Sequence, residues 1–249
     1  MNITNQTALI TGATRGIGRA LTDQLIAGGA RIIAVGRDRD RLAALTADHG
    51  DRVVPHHADL ADPAAVDALL DAVTGRHPDL TIVINNAAVQ AHTDFLAGDA
   101  HRARPVARRE IAVNLDAVVA ICAGLLPRLR QRPAAAIINL TTGLAMAPKR
   151  AAPVYCATKA GVRTFTRALR YQCEQGAPHV RVCEAMMPLV DTDMTRGRGT
   201  GKISASAAAR AVLDGLRRDR AEIYVGKARL LPALMRVTPS LGYRMLRNG

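Results

Sequence analysis

The stretch TALITGATRGIG, residues 7–18, decides the fold of this chain. A short strand-like run leads directly into Gly12, Gly16 and Gly18, and an amphipathic segment follows. Glycine fits where the backbone turns sharply or approaches a pyrophosphate, while the first turn of a helix offers free amides and a positive dipole end. The stretch therefore predicts a strand, a tight turn and a helix whose amino end binds the phosphates of a dinucleotide.

Beyond this stretch, short β-branched runs alternate with longer amphipathic segments. The predicted strands lie at 7–11, 31–35, 52–58, 80–85, 134–140, 179–186 and 222–226, and the predicted helices at 16–27, 39–49, 64–75, up to about 132, 153–175 and 204–217. This order predicts an α/β fold, a Rossmann-type doubly wound seven-stranded parallel sheet with helices on both faces. The length of 249 residues and the lack of a low-complexity linker predict a single domain over 1–249.

The chain is strongly basic, with a formal net charge of +13, but the charge is diffuse. Only four of its 34 basic residues are Lys, and the densest group, residues 101–109, has no interleaved aromatics. Aromatic residues make up 2% of the chain, so a base-stacking surface for nucleic acid is not expected. The excess of Arg instead favours a solvated surface that attracts an anionic cofactor.

The four cysteines show no CxxC spacing, which predicts reduced thiols in a cytoplasmic protein with neither a disulfide nor a metal site. No charged leader followed by an apolar stretch precedes the first strand, and no run of eighteen apolar residues occurs. The segment 227–247 alternates Leu and Met with Arg, which fits a closing helix better than contact with a membrane.

The end of the second predicted strand indicates which nicotinamide cofactor is used. Gly36 stands where an acidic residue would bind the adenosine ribose of NAD, so no carboxylate repels a 2′-phosphate there. Arg37 and Arg15 offer that phosphate charge-assisted donors, which predicts NADP(H). Asp38 is expected to cap the next helix. The remaining adenosine and phosphate contacts are predicted at Thr14, Ile17, Asp59 and Leu60.

The segment YCATKAG, residues 155–161, places a phenol and an ammonium one helical turn apart. An ammonium about 4 Å from the Tyr155 oxygen would favour the phenolate by roughly 4 kcal/mol at an effective dielectric of about 20. We therefore expect Lys159 to lower the pKa of Tyr155 toward neutrality and to make the phenol usable in proton transfer.

Several motifs in this order make the chain similar to the short-chain dehydrogenase/reductase family over essentially its full length. They are TGATRGIG at 11–18, ADL at 58–60, NNAA at 85–88, Asn114 in VNL, IINLTTG at 137–143 and YCATK at 155–159. Within the family, TTGLA at 141–145 and EIYVGKARLL at 222–231 resemble the bacterial DltE-like branch.

The resemblance implies roles for four catalytic residues. Tyr155 would be the general acid in reduction and the general base in oxidation, and Lys159 would hold the nicotinamide ribose. Thr142 stands where the family usually has serine, and its hydroxyl would bind the substrate oxygen. Thr141 is the neighbouring alternative, but strand alternation would point it to the opposite face. Asn114 would position a water that connects Lys159 to solvent.

The resemblance also implies the nicotinamide contacts, namely Asn86, Ala87, Pro188, Val190 and Thr192, with Asn86 tying the fourth strand to its neighbours. Ala88 replaces a common family glycine, and Leu189 stands where glycine or proline is more usual. The variable segments 89–109 and 195–202, the latter in a substrate loop at about 189–203, would set specificity.

These observations predict an NADPH-dependent carbonyl reductase, or alcohol dehydrogenase in reverse, for a small or medium apolar substrate. The replacements at Thr142 and Leu189 leave open an alternative, a protein that binds NADP(H) as a sensor or scaffold without turnover. A third interpretation, an enzyme at a membrane edge, rests on the basic carboxyl-terminal segment. Apolar helix faces near 112–126 and 158–169 predict a homodimer or homotetramer.

Overall fold

A parallel seven-stranded sheet organises the computed structural model, which describes residues 1–96 and 100–248. Its strands are β1 Thr7–Thr11, β2 Arg31–Gly36, β3 Val53–His57, β4 Leu80–Asn85, β5 Ala135–Thr142, β6 Val180–Met187 and β9 Glu222–Tyr224, whereas β7 Val190–Asp191 and β8 Ile203–Ser204 form a separate small sheet. The strand order is β3-β2-β1-β4-β5-β6-β9. All seven predicted strands are thus confirmed, with ends that differ by no more than two residues. From β1 the chain adds β2 and β3 on one side of the sheet and then β4 onward on the other side. This change of side opens a crevice at the carboxyl edge next to β1.

The sheet is apolar on both faces because alternate residues of each strand enter different cores. In β2, for example, Ile32 and Ala34 belong to one core, and Ile33 and Val35 belong to the other. Nearly every side chain in the central strands is fully buried. This two-sided burial explains why the strands read as continuous apolar runs.

Helices cover both faces, as predicted. They are α1 Gly16–Ala27, α2 Arg39–His49, α3 Pro63–Arg76, α4 Ala100–Ile111, α5 Ala117–Leu129, α6 Pro153–Gly176, α7 Ala205–Arg217, α8 Leu231–Val237 and α9 Pro239–Arg247. The core that contains Ile32 is covered by α1, α2 and α7, and the core that contains Ile33 by α3, α5 and α6. Residues 101–129, from α4 into α5, are long and apolar enough to cross a membrane, but α5 buries Val118, Ile121 and Leu125 against the sheet. We therefore describe this segment as a core helix.

The segment 189–203, predicted as a substrate loop, has a small sheet that the sequence pattern did not predict. The strands β7 Val190–Asp191 and β8 Ile203–Ser204 pair in parallel and close the base of the loop. Of the variable segment 89–109, positions 97–99 lie outside the described residues. The carboxyl-terminal segment is not one helix but two, α8 and α9, which follow a short 3-10 turn. The inner sides of α8 and α9 pack on Met186 near the end of β6, as a closing helix was expected to do.

The turn that joins β1 to α1 needs glycine at three positions, 12, 16 and 18. Gly12 and Gly16 have φ angles of +65° and +54°, which L side chains rarely adopt. A Cβ on Gly18 would lie 2.1 Å from the carbonyl oxygen of Gly12 and 2.6 Å from Nδ2 of Asn86. The helix can therefore start this close to the strand only if residue 18 is glycine.

We expect Gly18→Ala to destabilise the protein by at least about 2 kcal/mol, because the new methyl must displace backbone. Gly75→Ala in α3 is the matched control, since a Cβ there meets nothing within 4 Å. That control should stabilise the fold by about 0.5–1 kcal/mol through helix propensity. Urea unfolding of both variants measures the difference, and similar values for the two would contradict the steric explanation.

Candidate active site

A single cleft of about 320 Å³ runs along the carboxyl edge of the sheet and joins the two ends predicted from sequence. Of the predicted site residues, the following line it: Gly12, Thr14, Arg15, Gly16, Ile17, Arg37, Asp59, Leu60, Asn86, Ala87, Thr142, Tyr155, Lys159, Pro188, Val190 and Thr192. Gly18 and Asn114 do not line the cleft but support it from behind. We call the part near Arg37 the adenosine end and the part near Tyr155 the reaction end.

The glycine loop is held by polar contacts with the segment after β4. The Thr11 hydroxyl oxygen accepts hydrogen bonds from the backbone N–H groups of Asn86 and Ala87, both at 3.0 Å. Nδ2 of Asn86 donates to the carbonyl oxygens of Thr11 at 2.9 Å and Gly12 at 3.2 Å. These bonds confirm that Asn86 ties the fourth strand to its neighbour, and they occupy its amide group with backbone.

The adenosine end is cationic. Arg15, Arg37 and Arg41 all line it, and the sequence analysis had not identified Arg41. Asp38 caps α2 as predicted, because its carboxylate accepts the Arg41 N–H at 3.0 Å and pairs with Arg41 Nε at 3.1 Å. Its carboxylate is therefore engaged at the start of α2, whereas Arg15 and Arg37 have no ion pair among the residues that the structure describes.

Asp59 is held by an arginine from the substrate side of the chain. Arg109 Nη2 lies 3.0 Å from a carboxylate oxygen of Asp59. Burial alone would raise the pKa of Asp59, but the Ala61 N–H and the Arg109 guanidinium hold that pKa below its usual value. Asp59 is thus an anion at neutral pH, and its pairing with Arg109 brings the end of the variable segment 89–109 onto the adenosine end.

Tyr155 and Lys159 lie one turn apart on α6, and both side chains are buried, with 9% and 3% exposed. Lys159 Nζ donates to the carbonyl oxygen of Leu140 at 2.9 Å. Burial lowers the pKa of Lys159 to about 8. Burial also raises the pKa of Tyr155, with further increases from Cys156 and Glu110.

The expectation that Lys159 brings the pKa of Tyr155 toward neutrality is therefore wrong for this structure. The expectation counted the charge of the ammonium but not the loss of water around both groups. Desolvation is the largest cause of the raised pKa of Tyr155, and the charge that opposes it is that of Arg198, not that of Lys159. At neutral pH the buried pair consists of a protonated phenol and an ammonium. The phenol is in the form that can donate a proton.

The two threonines at the end of β5 point in different directions, as strand alternation predicted. Thr141 is buried, and its hydroxyl donates to Glu184, which also pairs with Arg163. Thr142 lies in the cleft, where its oxygen accepts the Leu144 N–H at 3.4 Å. No described residue accepts the hydroxyl hydrogen of Thr142, so this hydrogen remains available to a bound oxygen.

Asn114 occupies a five-residue π-helical turn, Ala112–Asp116, between α4 and α5. Its fully buried amide pairs with both backbone groups of Val89, since Nδ2 donates to the Val89 oxygen and Oδ1 accepts the Val89 N–H, each at 2.8 Å. Nδ2 also lies 3.3 Å from the Thr158 hydroxyl. Asn114 therefore fixes the position of Val89, in the segment that runs from Asn86 into the variable segment 89–109.

Glu110, one turn before Asn114, is a feature that sequence reasoning missed. It is 2% exposed, and one carboxyl oxygen accepts the Ala91 N–H at 2.8 Å. The other oxygen has no partner among the described residues. Burial raises the pKa of Glu110. An acidic residue on a basic helix gave no sequence signal for this buried position.

The segment after β6 closes the cleft opposite the glycine loop. A Cβ on Gly16 would lie 3.0 Å from Cγ2 of Thr192, so the two walls almost touch there. Leu189 and Met194 add apolar surface to the cleft, which Val89, Leu144 and Met187 also line. The cleft therefore combines cationic side chains with an apolar wall.

Neither the cysteines nor the acidic and imidazole groups of residues 1–96 and 100–248 form a metal site. All four cysteines are free and buried. Burial raises the pKa of each thiol, to about 12 for Cys122 and about 11 for Cys183.

Comparisons with known proteins agree with this geometry. The family model described as short chain dehydrogenase matches residues 6–202. The "Uncharacterized oxidoreductase DltE" of Bacillus subtilis is 35% identical over 90% of this chain and 89% of its own length. A short chain dehydrogenase from Burkholderia cenocepacia in complex with NADP is 28% identical, with a TM-score of 0.87 over the full length of both chains. A family structure from Burkholderia phymatum in complex with NAD, 21% identical, shares the fold with a TM-score of 0.85 over 100% of this chain and 97% of its own.

The burial of Lys159 makes a prediction for stability. Because its pKa falls from 10.5 to about 8 on folding, the unfolded chain holds more protons between these values, and stability should rise with pH in that window. Below pH 8 the buried charge should cost about 3 kcal/mol. Lys159→Met should remove that cost, so its advantage over the parent should shrink from pH 7.5 to pH 10.

Urea unfolding at several pH values measures this advantage as a difference, which cancels the titration of the other buried groups. The exposed Lys227→Met is the control and should show a flat difference. A flat difference for Lys159→Met as well would refute the desolvated ammonium.

Proposed function

The chain belongs to the short-chain dehydrogenase/reductase family, and from that premise we propose that it is an NADPH-dependent carbonyl reductase, or alcohol dehydrogenase in reverse. The observation that carries the proposal is that one cleft holds Tyr155, Lys159 and Thr142 at one end and the glycine loop at the other. The family membership supports oxidoreductase chemistry on alcohol and carbonyl groups. The acid/base role of Tyr155 is the part that needs a direct test.

The residues of the cleft fit a nicotinamide dinucleotide. The left-handed glycines at 12 and 16 bring bare backbone to the surface, and the free N–H groups at the start of α1 point to where a pyrophosphate would bind. When bound, the nicotinamide supplies or accepts the hydride. Pro188, Val190 and Thr192 would hold the nicotinamide end, and Asp59 and Leu60 the adenine end.

We assign the cofactor preference to NADP(H) because of the charges at the adenosine end. Gly36 contributes no carboxylate, and Asp38 is already engaged with Arg41. Arg15 and Arg37 form no ion pair among the described residues, and Asp59, whose charge acts on Arg37 at longer range, is paired with Arg109. Both guanidinium groups can therefore pair with a 2′-phosphate. The structure from Burkholderia cenocepacia was solved with NADP, in line with this assignment, although the one from Burkholderia phymatum contains NAD.

The protonated phenol of Tyr155 is the form that reduction of a carbonyl requires. As the hydride reaches the carbonyl carbon, the Tyr155 O–H bond breaks and its proton passes to the substrate oxygen. The phenolate that remains is stabilised by the Lys159 ammonium, while the Thr142 hydroxyl donates to the same substrate oxygen and fixes its position. In oxidation the same phenolate would take the proton back.

The remaining expectations from sequence stay proposals. Apolar side chains of α5 and α6 that pack on the core and stay half-exposed, such as Ala120 and Phe165, support a homodimer or homotetramer. The buried, reduced thiols are in line with a cytoplasmic location. A sensor or scaffold that binds NADP(H) without turnover is the alternative that the next experiment separates.

Tyr155→Phe should reduce kcat for NADPH-dependent carbonyl reduction by about 10²- to 10⁴-fold, because the proton donor is lost. NADPH binding, measured by fluorescence, should be retained. The exposed Tyr171→Phe is the matched control and should keep full activity. Equal turnover of the parent and Tyr155→Phe would remove the mechanism, and NADPH binding without any turnover by the parent would favour the sensor.

Arg37→Asp should lower kcat/KM for NADPH by about 10- to 100-fold and raise the preference for NADH, since a charge-assisted contact is replaced by repulsion. Arg210→Asp on α7, an exposed site far from the cleft in sequence, makes the same charge change and should leave the ratio unaltered. Steady-state kinetics with both cofactors decides the matter. A parent enzyme that prefers NADH would refute the assignment.

A further inference from the structure

Arg198 bridges the two variable segments that frame the reaction end. It lies on the loop between β7 and β8, it is half-buried, and its backbone N–H donates to the Thr195 oxygen at 3.0 Å. Its Nη1 donates to Oε1 of Gln90 at 2.6 Å. Gln90 lines the same cleft as Thr142 and Tyr155. A guanidinium is thus anchored at the substrate side by a residue 108 positions earlier in the chain.

The partner of Arg198 is neutral, which sets it apart from the other cations of its loop. Arg196 pairs with Asp193 at 2.6 Å, and Lys202 pairs with Asp191 at 3.4 Å. Among the described residues, Arg198 has no carboxylate within ion-pair distance. A partly desolvated cation held only by an amide keeps four N–H groups and its full charge for another ligand.

The electrostatics around Arg198 extend to the reacting phenol. Burial raises the pKa of Tyr155, and Arg198 is close enough that its charge acts in the opposite direction. His92 has its pKa lowered by burial, by Arg198 and by Lys149, so these cations face one region. The nearby Glu110 has its pKa raised by burial and is bound to the Ala91 N–H, which limits the negative charge that it can offer.

We propose that Arg198, held in place by Gln90, is a subsite for an anionic group of the substrate. The substrate class is then a carbonyl compound that carries an oxyanion, in the simplest case a carboxylate, beyond an apolar stretch. The planar guanidinium matches a carboxylate with two parallel hydrogen bonds, and the apolar wall receives the carbon chain between the anion and the carbonyl. This inference rests on the proposed reductase function. It replaces the purely apolar substrate expected from sequence with a carbonyl compound that also carries an anionic group.

The test compares succinic semialdehyde with its neutral methyl ester under saturating NADPH. Arg198→Gln should raise KM for the acid by about 10- to 100-fold and leave KM for the ester within about twofold. Arg198→Lys should recover part of the loss, because it keeps the charge but not the fork. Arg196→Gln on the same loop is the matched control and should leave KM for both compounds unchanged. Thermal unfolding checks that each variant folds.

Two results would overturn the subsite while the reductase stands. One is a parent enzyme that reduces the ester as efficiently as the acid. The other is an Arg198→Gln enzyme in which KM rises equally for the acid and the ester. If the parent reduces neither compound, the reductase proposal fails for this substrate length, and binding of unreactive succinate in the presence of saturating NADP⁺ decides the subsite by calorimetry. Succinate binding lost in Arg198→Gln but not in Arg196→Gln supports the anion site, and no binding by the parent refutes it.

Discussion

The close approach of α1 to β1 is the constraint on which the rest of the structure depends. The first helical turn lies so near the Gly12 carbonyl that only hydrogen fits at residue 18. The Asn86 amide closes the same gap from the side of β4 by donating to Thr11 and Gly12. From Asn86 the chain continues to Val89, which Asn114 holds through both backbone groups, and then to Gln90. The short segment from Asn86 to Gln90 therefore links the tightly packed glycine turn to the cleft wall at Gln90.

The reaction end shows how burial and charge compete in one pair of side chains. A sequence places Tyr155 and Lys159 on one helical face, and Coulomb attraction alone would make the phenol more acidic. The structure removes water from both groups, so that the phenol holds its proton more tightly and the ammonium holds its proton less tightly. Desolvation is the largest cause of both shifts, so that at neutral pH the phenol stays protonated beside an ammonium.

The local parts of this molecule could be predicted from sequence, and the long-range parts could not. Strands buried on both faces and the GxxxGxG turn leave local patterns, so the seven strands, the turn into α1 and the helix cap at Asp38 follow from composition and spacing. The contact between Arg198 and Gln90, the pairing of Asp59 with Arg109, and the burial of Glu110 depend on how distant segments meet. The predicted lowering of the pKa of Tyr155 was wrong for the same reason. Solvent exclusion is a property of the assembled core and cannot be read from the i, i+4 spacing.

The placement of the cysteines has a consequence for an enzyme with aldehyde substrates. Thiolates add readily to electrophilic carbonyls and are easily oxidised, whereas protonated thiols react slowly. All four cysteine sulfur atoms are enclosed in the protein interior, in surroundings that disfavour their ionised form. On the proposed chemistry, the catalyst presents no accessible thiolate to which a carbonyl substrate could add as a hemithioacetal.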